Sequence, residues 1–129
     1  MSKQAKVMVL AGFAASLATA GFAAENRCGW YENPSTGNQW LKDKDATWII
    51  TSQGEAEGPD AIGTEKIPDF TANREQYVFF DPNSYQGYAC ACMVVDVDRK
   101  AERITRIHSV KQLPLATCKA DRTLPKPDS

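Results

Sequence analysis

The sequence predicts a mainly β domain. It is expected to be a compact antiparallel sheet of hairpins with a short C-terminal helical turn, cross-linked by two disulfides; a small α+β arrangement is a variant of the same reading. Three observations carry this. Short runs of aromatic and β-branched residues alternate with turn-forming clusters. The one helix-compatible opening in the later chain is Pro114, since proline suits a first helical position. Four cysteines, Cys28, Cys90, Cys92 and Cys118, follow an N-terminus that has the pattern of an export signal.

Residues 1–23 read as a cleaved signal peptide. Lys3 and Lys6 make a basic start, Val7 to Ala20 is apolar and uncharged, and small residues follow. Cuts after Ala20 or after Ala23 both match the small-residue rule, and Ala23 matches it better because Gly21 and Ala23 then occupy the two small positions. The apolar run is short for a membrane span, and no later segment offers one. Residues 24–129 are then expected as a single disulfide-stapled domain, periplasmic in a bacterium or else secreted. The chain has 15 basic and 16 acidic residues, and these are scattered. That excludes the electrostatic footprint of a nucleic-acid binder.

Within the domain, Asn26 to Gln39 carries Gly29, Asn33-Pro34, Ser35 and Gly37-Asn38, and is expected as loop with at most a short strand. Gln39-Trp40-Leu41 and Thr47 to Thr51 flank the polar Lys42-Asp43-Lys44-Asp45 and read as a hairpin. Ser52 to Asp69, with Gly54, Gly58-Pro59, Gly63 and Pro68, is expected as loop. Gln76 to Phe80 is a strand, Tyr88 to Val97 is the longest strand, and Arg103 to Val110 returns beside it after a polar turn. Pro114 to Asp121 is the short helix.

Strand alternation puts the Cys90 and Cys92 side chains on one face, with β-carbons roughly 6.6 Å apart. A disulfide needs about 3.5–4.5 Å, so these two are not expected to bridge each other. Two pairings remain. Cys90–Cys118 with Cys28–Cys92 is preferred, because the chain leaving Val110 passes the Tyr88 end of the long strand first.

The candidate chemistry is sparse. Cys90, Cys92 and His108 form an alternative reading as a periplasmic metal site, since thiolates and imidazole suit Cu(I) or Zn(II). It needs His108 to lie opposite Cys92, and a one-residue change of turn length would move it to the other face. A cell-wall-associated hydrolase is a further alternative that rests on location alone; no G-x-S-x-G elbow accompanies His108. Asp96-Val97-Asp98 lacks the remaining ligands of a calcium loop, and no glycine pattern cradles phosphate. No catalytic residue and no cofactor is therefore expected. Trp30, Asn33, Asn38 and Trp40 are the candidate ligand surface, because ring faces and amides together suit a sugar or a protein partner. The same tryptophans are also expected to seal a thin core over the Cys28 bridge. The best description is a small exported non-enzymatic binding or structural module. Its partner is an unknown protein or envelope polymer, and its oligomeric state is left open.

Arg27-Cys28-Gly29-Trp30, Asn33-Pro34, Gly37-Asn38-x-Trp40-Leu41, Asp45, Trp48 and Gln53-Gly54 form the first half of a longer pattern. Gly87-Tyr88-x-Cys90-x-Cys92, Leu115-x-x-Cys118, Asp121 and Leu124-Pro125 form the second. The pattern resembles the domain-of-unknown-function family numbered four-zero-eight-seven, small exported bacterial proteins. The resemblance implies export and disulfides, and it carries over no activity and no catalytic residue.

Overall fold

The computed structural model describes residues 23–54 and 58–128. The expected signal segment, apart from its last residue Ala23, lies outside the described residues. Among the described residues the elements are β1 (Glu25–Ser35), β2 (Asn38–Lys42), β3 (Thr47–Thr51), β4 (Tyr77–Phe79), β5 (Gly87–Asp98), β6 (Arg103–Leu113) and α1 (Leu115–Ala120), with short 3-10 turns at Thr64–Lys66, Phe70–Ala72 and Arg74–Gln76.

The predicted hairpins β2–β3 and β5–β6, the strand β4 and the helix α1 are all present. The stretch Asn26 to Gln39, expected as loop, instead holds the 11-residue strand β1. Pairing on both sides overrides its turn-forming composition. β1 runs antiparallel to β5 from Glu25↔Val95 to Asn33↔Gly87, and antiparallel to β2 from Trp30↔Lys42 to Ser35↔Asn38. Pro34 falls within the register shift between Glu32 and Ser35 on β1, where no regular ladder bond is lost.

The sheet is mixed, and its pairings close on themselves. β1, β2 and β3 form a meander, and the long connection then brings β5 back beside β1, which is a Greek key. β6 follows β5 and meets β3 in parallel at Ile49↔Arg103, completing a ring of five strands. Ladder bonds at this last seam are supplemented by the chain at Ala61-Ile62. The Ala61 amide donates to the Ile50 carbonyl at 2.9 Å, and Ile62 exchanges bonds with Thr105 and Ile107 at 3.0 and 2.8 Å. Register shifts on the β5–β6 ladder leave His108 and Thr105 as extra residues of β6, and such bulges bend a strand pair toward closure. Gly29 allows β1 to press against β2, since a Cβ there would lie 2.2 Å from the Lys42 carbonyl oxygen.

Alternation along β1 and β5 then builds two cores on opposite faces. Inside the ring, Ala89, Ala91, Met93, Val95 and Val97 of β5 pack with Tyr31, Leu41, Trp48, Ile50, Ile104 and Ile107. Outside it, Trp30, Cys90 and Cys118 form a smaller core with Tyr88, Leu113, Leu115 and Leu124, roofed by α1 and the C-terminal segment. The disulfides are Cys28–Cys92 and Cys90–Cys118, the preferred pairing. Cys28 sits directly opposite Cys92 on the neighbouring strand. Cys118 reaches Cys90 because β6 ends at Leu113, opposite Cys90, where α1 turns back. The first bridge has an exposed sulfur partner in Cys28, and the second is buried.

Candidate functional site

The two ends of the ring have different chemistry. At the end formed by the start of β1 and the β2–β3 turn, Arg27 is buried with its guanidinium 4.2 Å from the centre of the Trp48 ring. It forms ion pairs to Asp43 at 2.7 Å, Asp45 at 3.1 Å and Glu25 at 2.8 Å. Burial lowers its pKa, and the hydrogen bonds it donates to Asp43, Asp45 and Glu25 outweigh that and raise it above the ordinary value. The Asp43 Oδ1 accepts from the amides of Asp45 and Ala46 and from the Trp48 indole. Each of these groups has a partner, and the network reads as a structural plug. A hollow of about 320 Å³ beside it is lined by Arg27, Cys28, Asp43, Asp45, Asp121 and Thr123, among others.

The opposite end carries an open cleft of about 410 Å³. It is lined by Tyr31, Asn33, Pro68, Asp69, Phe70, Thr71, Tyr77 and Tyr85. Strand alternation aims Tyr31 into the ring, opposite in sense to Trp30, and its ring lies 4.6 Å from that of Phe70. Tyr31 is only 5% exposed as a residue, but its hydroxyl oxygen reaches solvent in the cleft and makes no hydrogen bond to the described residues, whose one fully buried unpaired side-chain polar atom is the Ser52 Oγ. Burial, with a smaller contribution from Tyr77, pushes its pKa well above the usual phenol value, so it remains a neutral donor and acceptor. The Tyr77 hydroxyl donates to the Tyr85 carbonyl at 2.6 Å, and burial followed by the charge of Asp69 pushes its pKa up to about 12.

This wall is held from behind. The Gln112 amide donates to the carbonyls of Phe70 and Gln76, both at 3.2 Å, and the Gln76 side chain accepts from the Leu115 amide at 2.7 Å. Asp69 caps the 3-10 turn Phe70–Ala72 by accepting from the Thr71 amide and hydroxyl. Tyr85 completes the rim at 78% exposed, one of two large hydrophobic residues so exposed among those described, the other being Ile62.

The residues singled out from sequence fall in different places. Trp30 is 3% exposed and sealed in the outer core, its ring edge-on to Tyr88. Trp40 is half-buried on the outer face of β2, and its indole donates to Glu32 at 2.5 Å. Asn33 lines the open cleft, and its amide nitrogen, oriented toward them, donates to the carbonyls of Ser35 and Asn38. Asn38 stands at the β1–β2 turn, bonded to the Ser35 hydroxyl at 2.6 Å and to the Gln53 amide at 3.0 Å. The ground between Trp30 and Trp40 is covered by the chain itself. Leu124 packs on the outer core, and Asp128 reaches Lys42 at 3.1 Å while its amide donates to the buried Glu32 at 3.0 Å.

The Cys90, Cys92, His108 reading loses its ligands, because each cysteine belongs to a different disulfide. Cys92 lies opposite Lys111, and His108 is a bulge residue bonded to Asp96 at 3.0 Å. Sequence reasoning missed Tyr31, Tyr77 and Tyr85. The only local signal was the alternation that sends Tyr31 to the face opposite Trp30, and it is readable only once β1 is known to be a strand.

The model of the family described as Protein of unknown function (DUF4087) matches residues 22–125, and the chain belongs to that family. No curated protein and no solved structure matches it.

Proposed function

We propose that this member of the Protein of unknown function (DUF4087) family is an exported, non-enzymatic binding module whose ligand surface is the open end of the barrel. The carrying observation is the Tyr31 hydroxyl, which has no protein partner and reaches solvent in a cleft whose rim is the exposed Tyr85. A concave site lined by aromatic rings with a few convergent polar groups is the usual form of a ligand pocket, and a hydroxyl there with no protein partner is free to bond a ligand. The surface proposed from sequence is thereby narrowed to its Asn33 side. Of the other three residues, Asn38 stands at the β1–β2 turn and Trp30 and Trp40 lie on the outer faces of β1 and β2, and none of them lines the cleft.

Export is supported by the signal pattern of residues 1–23 and by two disulfides, which persist in oxidising compartments. No helix among the described residues is long and apolar enough to cross a membrane. The hydrolase alternative gains no residue, since His108 pairs with Asp96 and lines neither of the clefts described above.

The test is retention of labelled protein on washed cell-envelope material. Wild type is expected to be retained and Tyr85→Ala to be retained about tenfold less. Equal retention of the two proteins overturns the assigned surface. Amino-terminal sequencing of the mature protein tests export: a start at Ala24 is expected, and an intact Met1 overturns it.

A further inference from the structure

We infer that the open cleft binds a neutral pyranose sugar, so that the partner of the proposed module is a glycan; this rests on the binding-module reading. Four features converge on that chemistry.

The first is the exposed ring of Tyr85. An aromatic face turned to solvent carries a negative quadrupole and an apolar surface. The axial C–H face of a pyranose is apolar and slightly positive, and is complementary to it. The second is the polar set. Tyr31 offers a neutral hydroxyl that both donates and accepts. Asp69 uses Oδ1 to cap its own turn, and Oδ2 has no hydrogen bond among the described residues. A carboxylate oxygen only accepts, so its natural partner is a donor such as a sugar hydroxyl.

The third is charge. No lysine or arginine lines the cleft, and Asp69 is its one formal charge. A phosphate, a uronate or an acidic peptide would meet only that carboxylate. The adjoining hollow, which shares Thr71 and Tyr85, does contain Arg74, whose guanidinium lies 5.0 Å from the centre of the Phe79 ring. The fourth is size. About 410 Å³ lies within the roughly 300–1,000 Å³ of small-ligand pockets and leaves room for a ring with its substituents.

The wall that would receive the sugar is rigidly held. Gln112 clamps the carbonyls of Phe70 and Gln76, and the Tyr77 hydroxyl ties down the carbonyl of Tyr85 itself. A preformed site avoids the ordering cost that weakens binding by flexible loops.

Saturation-transfer NMR with cellotetraose, maltotetraose and chitotetraose tests this, with a neutral tetrapeptide as control. At least one saccharide is expected to receive saturation, strongest at its ring C–H protons. Tyr85→Ala is expected to weaken that binding about tenfold and Tyr31→Phe about fivefold. Asp69→Asn keeps an oxygen for the cap and is also expected to weaken it. Tyr85 is exposed, so its variant separates binding from folding. The sugar assignment is overturned if no saccharide is saturated while envelope retention still depends on Tyr85, which leaves the binding module standing. Saturation of the tetrapeptide instead of every saccharide also overturns it. Equal saturation with wild type and Tyr85→Ala overturns the site itself.

Discussion

The two ends of this barrel close the same sheet by opposite means. At one end a charged side chain is buried, and every acceptor around it is answered: Arg27 has three carboxylates, and Asp43 has two amides and an indole. At the other end the Tyr31 ring is buried as deeply, but its hydroxyl makes no bond within the protein and opens to solvent in a cleft. Burial alone therefore separates nothing here. Whether the polar atom is satisfied from within distinguishes a structural plug from a place to receive a ligand.

Substitutions should fall unequally on the two ends. Arg27→Ala leaves Asp43 buried and unpaired, and a loss of about 3–5 kcal/mol is expected in urea denaturation. A loss under about 1 kcal/mol would mean that this end is not a plug at all. Replacing Cys28 and Cys92 together by serine should cost about 2–5 kcal/mol. Because Cys28 is exposed and Cys118 buried, limiting reductant should open Cys28–Cys92 first, with alkylation and mass spectrometry reading the order. Initial alkylation of Cys90 and Cys118 would contradict the burial difference.

At the open end the expected order reverses. Tyr31→Phe should change stability by less than about 1 kcal/mol, because the hydroxyl makes no bond within the protein, yet should weaken ligand binding several-fold. A large loss of stability would reveal a protein-bound hydroxyl and remove the contrast. The smallest effect belongs to pH. Bonds from Lys44 and Arg27 hold Asp45 below its ordinary 3.8, so its contribution is complete above that value and disappears as pH falls through the depressed folded value. A plot of melting temperature against pH should therefore flatten slightly in Asp45→Asn below pH 3.8 relative to wild type. Unchanged acid slopes would assign the acid sensitivity elsewhere.

The elements that were legible in the sequence are those whose signal is local. β2–β3 and β5–β6 are hairpins with polar turns between β-branched and aromatic runs, and α1 follows Pro114. β1 was illegible because Gly29, Asn33-Pro34 and Ser35 are individually turn formers. Gly29 is required instead by the close approach of β2, and Pro34 sits at a register shift. The parallel closure of β3 on β6 has no local signature, since it joins Ile49 to Arg103 across half the chain. The candidate site follows the same division. Trp30 and Tyr31 are neighbours in sequence and belong to different cores, so the choice between them depended on β1 being a strand. The tryptophan drew notice by its type, and the tyrosine holds the place that a ligand can reach.

The order of the two bridges along the chain has a consequence for survival among proteases. Cys28–Cys92 and Cys90–Cys118 interleave, because Cys90 lies inside the first loop and Cys92 inside the second. A single peptide-bond cut anywhere from Cys28 to Cys118 therefore releases no fragment; the two pieces remain one covalent molecule. The glycine-bearing connection after β3 could be nicked, and the protein would still run as one band on a non-reducing gel, separating into two only after reduction. Pieces that cannot diffuse apart keep a high effective concentration for each other, so the tyrosine-lined mouth would outlast the integrity of the backbone that built it.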